Sequence, residues 1–172
     1  MRYVETPAPL SRAGGTSIVR AAVDRLARLA SMLAPPVLRI ALAVPFFRSG
    51  LTRWDGFLSL TPSTVYLFQH EFKLHIFGAA YGFPDPTLVA FLTGCAEITL
   101  PILLVLGFAT RFAALGLLAM TGVIELVVPS GWANFHLPWA SIALAIIALG
   151  PGPLSLDHLI WGRIAPLPAA RC

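Results

Sequence analysis

Charge is what this chain has least of. Of its 172 residues only 12% are Asp, Glu, Lys or Arg, about half the roughly 25% of a soluble domain. Apolar residues make up 57%. A soluble fold of this size has a large exterior to wet, and too little charge is present to wet it. Lipid as the solvent removes that difficulty. Cysteine is also scarce. Cys95 lies in an apolar run and Cys172 is the last residue, so no CxxC or zinc-ligand spacing exists. Cys95 reads as a small packed side chain. Soluble-enzyme signatures are missing too: there is no GxGxxG, P-loop, GxSxG or HExxH, and no cysteine beside a histidine. The first fifteen residues lack the apolar stretch of a cleavable signal peptide, because Glu5, Pro7 and Pro9 interrupt them. The first long apolar run, starting near Pro35, reads as an uncleaved anchor. No internal repeat stands out.

Twelve basic residues give a net charge of +4. They sit at the ends of apolar runs and form no stripe interleaved with aromatics. That pattern argues for lipid headgroups and against nucleic acid.

The runs themselves predict an all-α, integral membrane, four-helix antiparallel bundle preceded by an interfacial amphipathic helix. Residues 1–34 read as a cytoplasmic tail and that helix. In it Val19, Val23, Leu26, Ala30 and Leu33 recur at three- and four-residue steps, with Arg20, Asp24, Arg25 and Arg28 between. Residues 35–163 form the membrane domain, with spans at 35–54, 87–106, 112–128 and 132–149. Each is close to the ~20 residues that cross a ~30 Å hydrocarbon core. Pro35-Pro36 is expected to open the first span, and Trp54 to close it at the interface. Residues 55–86 form an outer cap. Between positions 61 and 82 the polar residues Gln69, His70, Glu71, Lys73 and His75 crowd among aromatics. A span there would be too costly, at roughly 2.5–3.5 kcal/mol per charge. An aromatic-rich loop or re-entrant helix over the bundle mouth is the expectation. Residues 164–172 are a tail.

Basic residues orient the bundle. With the N-terminus inside, Arg2, Arg12, Arg20, Arg25, Arg28, Arg111, Arg163 and Arg171 fall inside, and only Arg53 and Lys73 outside. Both termini are therefore expected in the cytoplasm.

Two turns carry a resemblance. Leu106-Gly107-Phe108-Ala109-Thr110-Arg111 resembles the LG-x-x-TR turn of DoxX-family membrane proteins. Residues 150–157, Gly-Pro-Gly-Pro-Leu-Ser-Leu-Asp, resemble that family's GPG-x-LSLD signature. Arg39 followed by Gly50, Glu97, and Leu67-Phe68 leading to Glu71-Phe72 also fit. The resemblance implies a four-helix bacterial-type inner-membrane protein. Its relatives include subunits of quinone-linked oxidoreductases, among them a thiosulfate:quinone oxidoreductase subunit. Others are tied to redox-stress complexes or to maturation of periplasmic amine dehydrogenases. It thus fixes no cofactor, quinone being the candidate, and points to a redox protein as the candidate partner beside the lipid bilayer. Two positions depart from the pattern: Lys73-Leu74-His75 replaces a proline-containing stretch, and Glu125 replaces a neutral polar residue.

Intramembrane polar groups are the candidate site. A rise of ~1.5 Å per residue places Arg48 about 9 Å, Glu125 and His136 about 6 Å and Glu97 about 15 Å below the outer ends of their spans. Ionisable groups at such depths must pair and face inward. Arg48 is expected to pair with Glu97 or Glu125, and His136 to hydrogen-bond a carboxylate. The cluster then serves either as a proton-accepting or quinone-headgroup site or as an ion pair fixing helix register. Arg39 is expected to snorkel to the inner headgroups, Arg111 to anchor the inner turn and Asp157 to favour the first turn of a C-terminal helix. Trp132 belongs to an interfacial belt. His70, Glu71 and His75 either form a solvated face or bind a metal or partner; no metal site is expected, and His136 has no second ligand at i+3 or i+4. Three functions remain open: a quinone-proximal redox subunit with no catalysis of its own, a small transporter or permease, and a scaffold without chemistry.

Overall fold

The computed structural model describes residues 13–161. The N-terminal tail through residue 12, Arg163 and residues 164–172, for which expectations were given, lie outside the described residues.

Among the described residues four helices are long and apolar enough to cross a membrane. They are α1 (Ala13–Leu51), α3 (Pro86–Leu106), α4 (Thr110–Val127) and the segment Pro129–Leu149, whose regular part is α5 (Leu137–Leu149). Less than a third of each span is buried within the chain, which leaves most of their apolar surface for lipid. The chain divides into two compact units at Leu33–Ala34. In the first unit every described side chain from Ile18 to Leu33 is exposed.

The second unit holds the bundle. Its core joins Leu42 and Phe46 of α1, Leu104 of α3, Leu117 of α4 and Ile146 of α5, all nearly inaccessible. Ala43, Ala113, Ala114 and Ala143 fill the seams. Without a hydrophobic drive between helices in lipid, small side chains promote association by allowing close backbone approach. Gly116 is one such contact: a Cβ there would stand 2.9 Å from Leu100 Cδ1. Helix α3 is bounded clearly. The Asp85 carboxylate accepts from Leu88 N–H at 3.0 Å, Pro86 takes the first turn, and left-handed Gly107 ends the helix.

Three expectations need correction. Pro35-Pro36 does not open a new helix, because α1 runs unbroken through both prolines and through Pro45. Proline's fixed φ is helical; what it removes is its own N–H bond to the preceding turn. The first span also ends at Leu51, and Trp54 begins a strand instead. Finally, the cap is neither a loop nor a re-entrant helix. It consists of a hairpin of β1 (Trp54–Gly56) and β2 (Ser59–Leu60), the short helix α2 (Pro62–Tyr66), a π-helical turn (Leu67–Glu71) and a second hairpin of β3 (Leu74–Ile76) and β4 (Ala79–Tyr81). Past α5, the short helix α6 (Leu156–Trp161) is capped by Ser155, whose Oγ accepts from His158 N–H at 3.0 Å.

Candidate functional site

Where α1, α3, α4 and α5 meet the cap, they line a half-open chamber of about 220 Å³. Phe46 and Trp139 form part of its bundle side; Phe68, Phe72 and Phe83 come from the cap. Phe68 is buried, edge-on to Phe72 and 5.8 Å from the ring of Phe83. The aromatic residues of the cap thus supply the chamber's aromatic wall, although the cap as a whole is irregular.

One ion pair lines this apolar space. Arg53 binds the Glu97 carboxylate through two nitrogens, Nε to Oε2 and Nη2 to Oε1, the latter at 2.8 Å. Ser49 Oγ donates to Oε1 at 3.3 Å. The Arg53 guanidinium also lies 5.2 Å from the Phe68 ring, a cation–π contact. Two glycines make room. At Gly50 a Cβ would fall 2.9 Å from Glu97 Cβ, and at Gly94 it would fall 2.7 Å from the Trp54 ring. The Glu97 side chain is 2% accessible and that of Arg53 is 14%. Arg53 therefore keeps a share of open space, and its Nη1 makes no hydrogen bond among the described residues.

Arg48 was expected to pair with Glu97 or Glu125, and it pairs with neither among the described residues. Its side chain is exposed. The inward face of α1 runs through Leu42, Ala43, Phe46 and Gly50; at 3.6 residues per turn, Arg48 is about 200° around the helix from Phe46 and from Gly50. Arg53 lies beyond the helix end and reaches back along the mouth. Its sequence signal was its place three residues after the tight Gly50, where a long cationic side chain can fold over apolar surface.

Glu125 and His136 do meet: His136 Nδ1 stands 2.5 Å from Glu125 Oε2. His136 belongs to a π-helical turn (Trp132–His136) and is buried, and Gly131 is required beside it, since a Cβ there would stand 2.8 Å from Nε2. No hydrogen bond joins this pair to Arg53–Glu97 among the described residues. The four groups expected in one cluster are separated: Glu125 pairs with His136, Glu97 pairs with Arg53 from outside the set, and Arg48 faces outward. Trp139 links the two regions by packing, with its ring 5.2 Å from Phe46 and 5.7 Å from His136.

At the opposite end the two sequence turns form one clasp. Asp157 N–H donates to Gly107 O at 2.8 Å, and the Asp157 carboxylate accepts from Ala109 N–H, Thr110 N–H and Thr110 Oγ1 at 2.8, 2.8 and 2.7 Å. It thereby caps the start of α4 as well as beginning α6. Arg39 does not snorkel outward. It is 2% exposed and donates to the carbonyls of Leu154 and Val105, which take the place of headgroup phosphates. Gly107, at φ +68°, is essential here: a Cβ would lie 2.0 Å from Arg39 Nη1. Arg111 is exposed at the start of α4, with its guanidinium over Gly150.

Trp132 is exposed. The cap's polar trio stays dispersed. His70 packs against the Tyr66 ring at 4.7 Å, Glu71 is exposed, and His75 Nδ1 lies 3.2 Å from Leu126 O. No group of three or more metal-capable side chains forms among the described residues.

The DoxX family model matches residues 34–130. The chain belongs to the DoxX family. An uncharacterized protein of Haemophilus influenzae is 31% identical to it, an alignment covering 72% of this chain and 81% of that protein. No solved structure matches. The family match includes Arg39, Gly50, Arg53, Glu97 and the Gly107 turn, and stops short of Asp157.

Proposed function

We propose that this DoxX-family protein is an accessory, quinone-proximal subunit of a membrane redox system, with the chamber beneath the cap as the headgroup site. The observation that carries the reading is one ion pair with spare donors, set at the end of the bundle in a chamber whose other lining is aromatic and aliphatic apart from the hydroxyls of Ser49 and Thr93. A cavity of roughly 150 Å³ lined by aliphatic and aromatic groups suffices for benzene. The 220 Å³ here suits a substituted quinone ring, and is too small for ring and isoprenoid tail together. The tail would lie in the lipid. Phe68, Phe72 and Trp139 would contact the ring, and Arg53 Nη1 would donate to a quinone oxygen. When bound, a quinone supplies a carrier of two electrons and two protons to a partner oxidoreductase. The residues here bind and orient; none is arranged as a self-sufficient catalyst. The basic-residue count supports an inner-membrane protein with both termini cytoplasmic and the cap on the outer face.

The test is titration of the purified protein in nanodiscs with a short-chain quinone, followed through tryptophan fluorescence. Saturable quenching is expected, and Thr93→Phe, which fills the chamber, should weaken it at least tenfold without lowering the amount of folded protein. A chain that quenches equally with and without the filled chamber, and retains no quinone on purification, is a scaffold instead.

A further inference from the structure

Both cap hairpins carry a large apolar residue at the tip, in a backbone conformation that such residues avoid. In the first, β1 and β2 are joined through Phe57 and Leu58, and Leu58 has φ +56°. In the second, β3 and β4 are joined through Phe77 and Gly78, at φ +50° and +82°. Turns of this left-handed type are normally built from Asn, Asp or Gly. A bulky residue there is strained, and strain of this kind persists where a function holds it. Yet the two phenylalanines bury almost no surface within the described residues. Phe57 is 95% exposed and Phe77 is fully exposed. Two separate hairpins at one end of one bundle share this feature.

The attachment of the hairpins says what they meet. Leu58 shares a shallow groove with Leu88 and Phe91, in the first turns of α3, and Leu88 is itself half exposed on the apolar outer surface. His75 of β3 reaches Leu126 O in the last turn of α4. Helices α3 and α4, of 21 and 18 residues, are about 31 and 27 Å long, which matches a hydrocarbon core of ~30 Å. Their cap-side ends therefore lie at the boundary between acyl chains and headgroups. Both hairpins are thus attached to the spans at that depth, with Trp54 and Tyr81 on their strands. Aromatic side chains concentrate in this layer of a bilayer.

We infer that Phe57–Leu58 and Phe77 are membrane anchors, two points at which the cap dips into the interfacial layer of the leaflet that surrounds the bundle mouth. The cap is thus held against the bilayer from its own side as well as by its packing on the helices. This holds whatever occupies the chamber.

Near-isosteric 4-fluorophenylalanine in place of Phe57, Phe77 or, as a buried control, Phe68 tests it in the full chain in nanodiscs. Fluorine signals are recorded with phospholipid carrying a nitroxide at acyl carbon 5, and separately with a water-soluble gadolinium chelate. The expected result is severalfold stronger broadening by the lipid nitroxide than by the chelate at positions 57 and 77, with position 68 little affected by either. Stronger broadening by the chelate at both tips would place them in water, facing a soluble partner, and would overturn the inference. No broadening by either agent would mean that the tips are buried against protein, and would overturn it equally.

Discussion

The two ends of the bundle use the same chemistry, an arginine and a carboxylate, to opposite effect. At the clasp, Asp157 spends its acceptors on Ala109 and Thr110, and Arg39 donates to two main-chain carbonyls. Every one of those partners belongs to the protein backbone or to a residue capping it. At the chamber, Glu97 is held by Arg53 and Ser49, while Arg53, itself lining a space of about 220 Å³, has one nitrogen without a hydrogen bond among the described residues. A buried polar group that binds backbone fixes the fold; one that faces a cavity with donors to spare can bind something else. The clasp is thus architecture and the chamber is the candidate site, although the recognisable sequence motifs mostly mark the clasp.

The sharpest way to break that contrast begins at the clasp. Asp157→Ala leaves two buried N–H groups and a hydroxyl without their acceptor, at roughly 1–3 kcal/mol each and not additively. A loss of about 3 kcal/mol or more is expected, read as a fall in melting temperature in detergent and in the amount of protein accumulated. Gly107→Ala should be at least as damaging, because the clash with Arg39 adds to a strained φ. If Asp157→Ala accumulated normally and lost only ligand binding, the division of labour between the ends would be wrong.

At the chamber the expected effect on stability is smaller and that on binding larger. Glu97→Gln keeps the shape and one acceptor oxygen but removes the charge facing Arg53. Because the guanidinium retains contact with open space, the cost should be about 2 kcal/mol, less than the loss of a wholly buried partner. Arg53→Lys keeps the charge but not the bidentate fork. It should weaken short-chain quinone binding about tenfold in the nanodisc titration while the melting temperature barely moves. Equal loss of stability and binding in both variants would assign this pair to register alone.

Much of this was legible in the sequence, for definite reasons. The spans announce themselves because lipid demands about twenty apolar residues in a row, and Gly107 and Gly150–Asp157 announce turns. What the sequence concealed was which groups meet. A one-dimensional reading places Arg48 and Glu97 at compatible depths, but depth says nothing about azimuth, and Arg48 is on the wrong side of α1. Arg53 was counted only as an outer charge, since its role depends on the turn that follows the end of α1 at Leu51. The clasp was visible as two motifs and invisible as one contact. The hairpins were missed because their strands are two or three residues long, too short for alternation to show, and because a large apolar residue takes a turn position in each, Leu58 in the first and Phe77 beside Gly78 in the second.

The smallest predicted effect is the most direct check on that azimuth. Arg48 is exposed on the face of α1 turned away from Phe46 and Gly50, three residues before the helix ends at Leu51. A side chain so placed can carry its charge along the helix to the headgroups while its stem stays in lipid. Arg48→Gln removes a solvated charge and no internal partner. The melting temperature should correspond to a change within about 0.5 kcal/mol, and quinone affinity should be unchanged. Arg48→Gln and Arg53→Lys then form a matched pair: two cations five positions apart, one silent and one decisive. If Arg48→Gln instead cost more than about 1 kcal/mol, or abolished binding while Arg53→Lys did neither, Arg48 would be the true partner of Glu97 and the helix face assigned here would have to be turned.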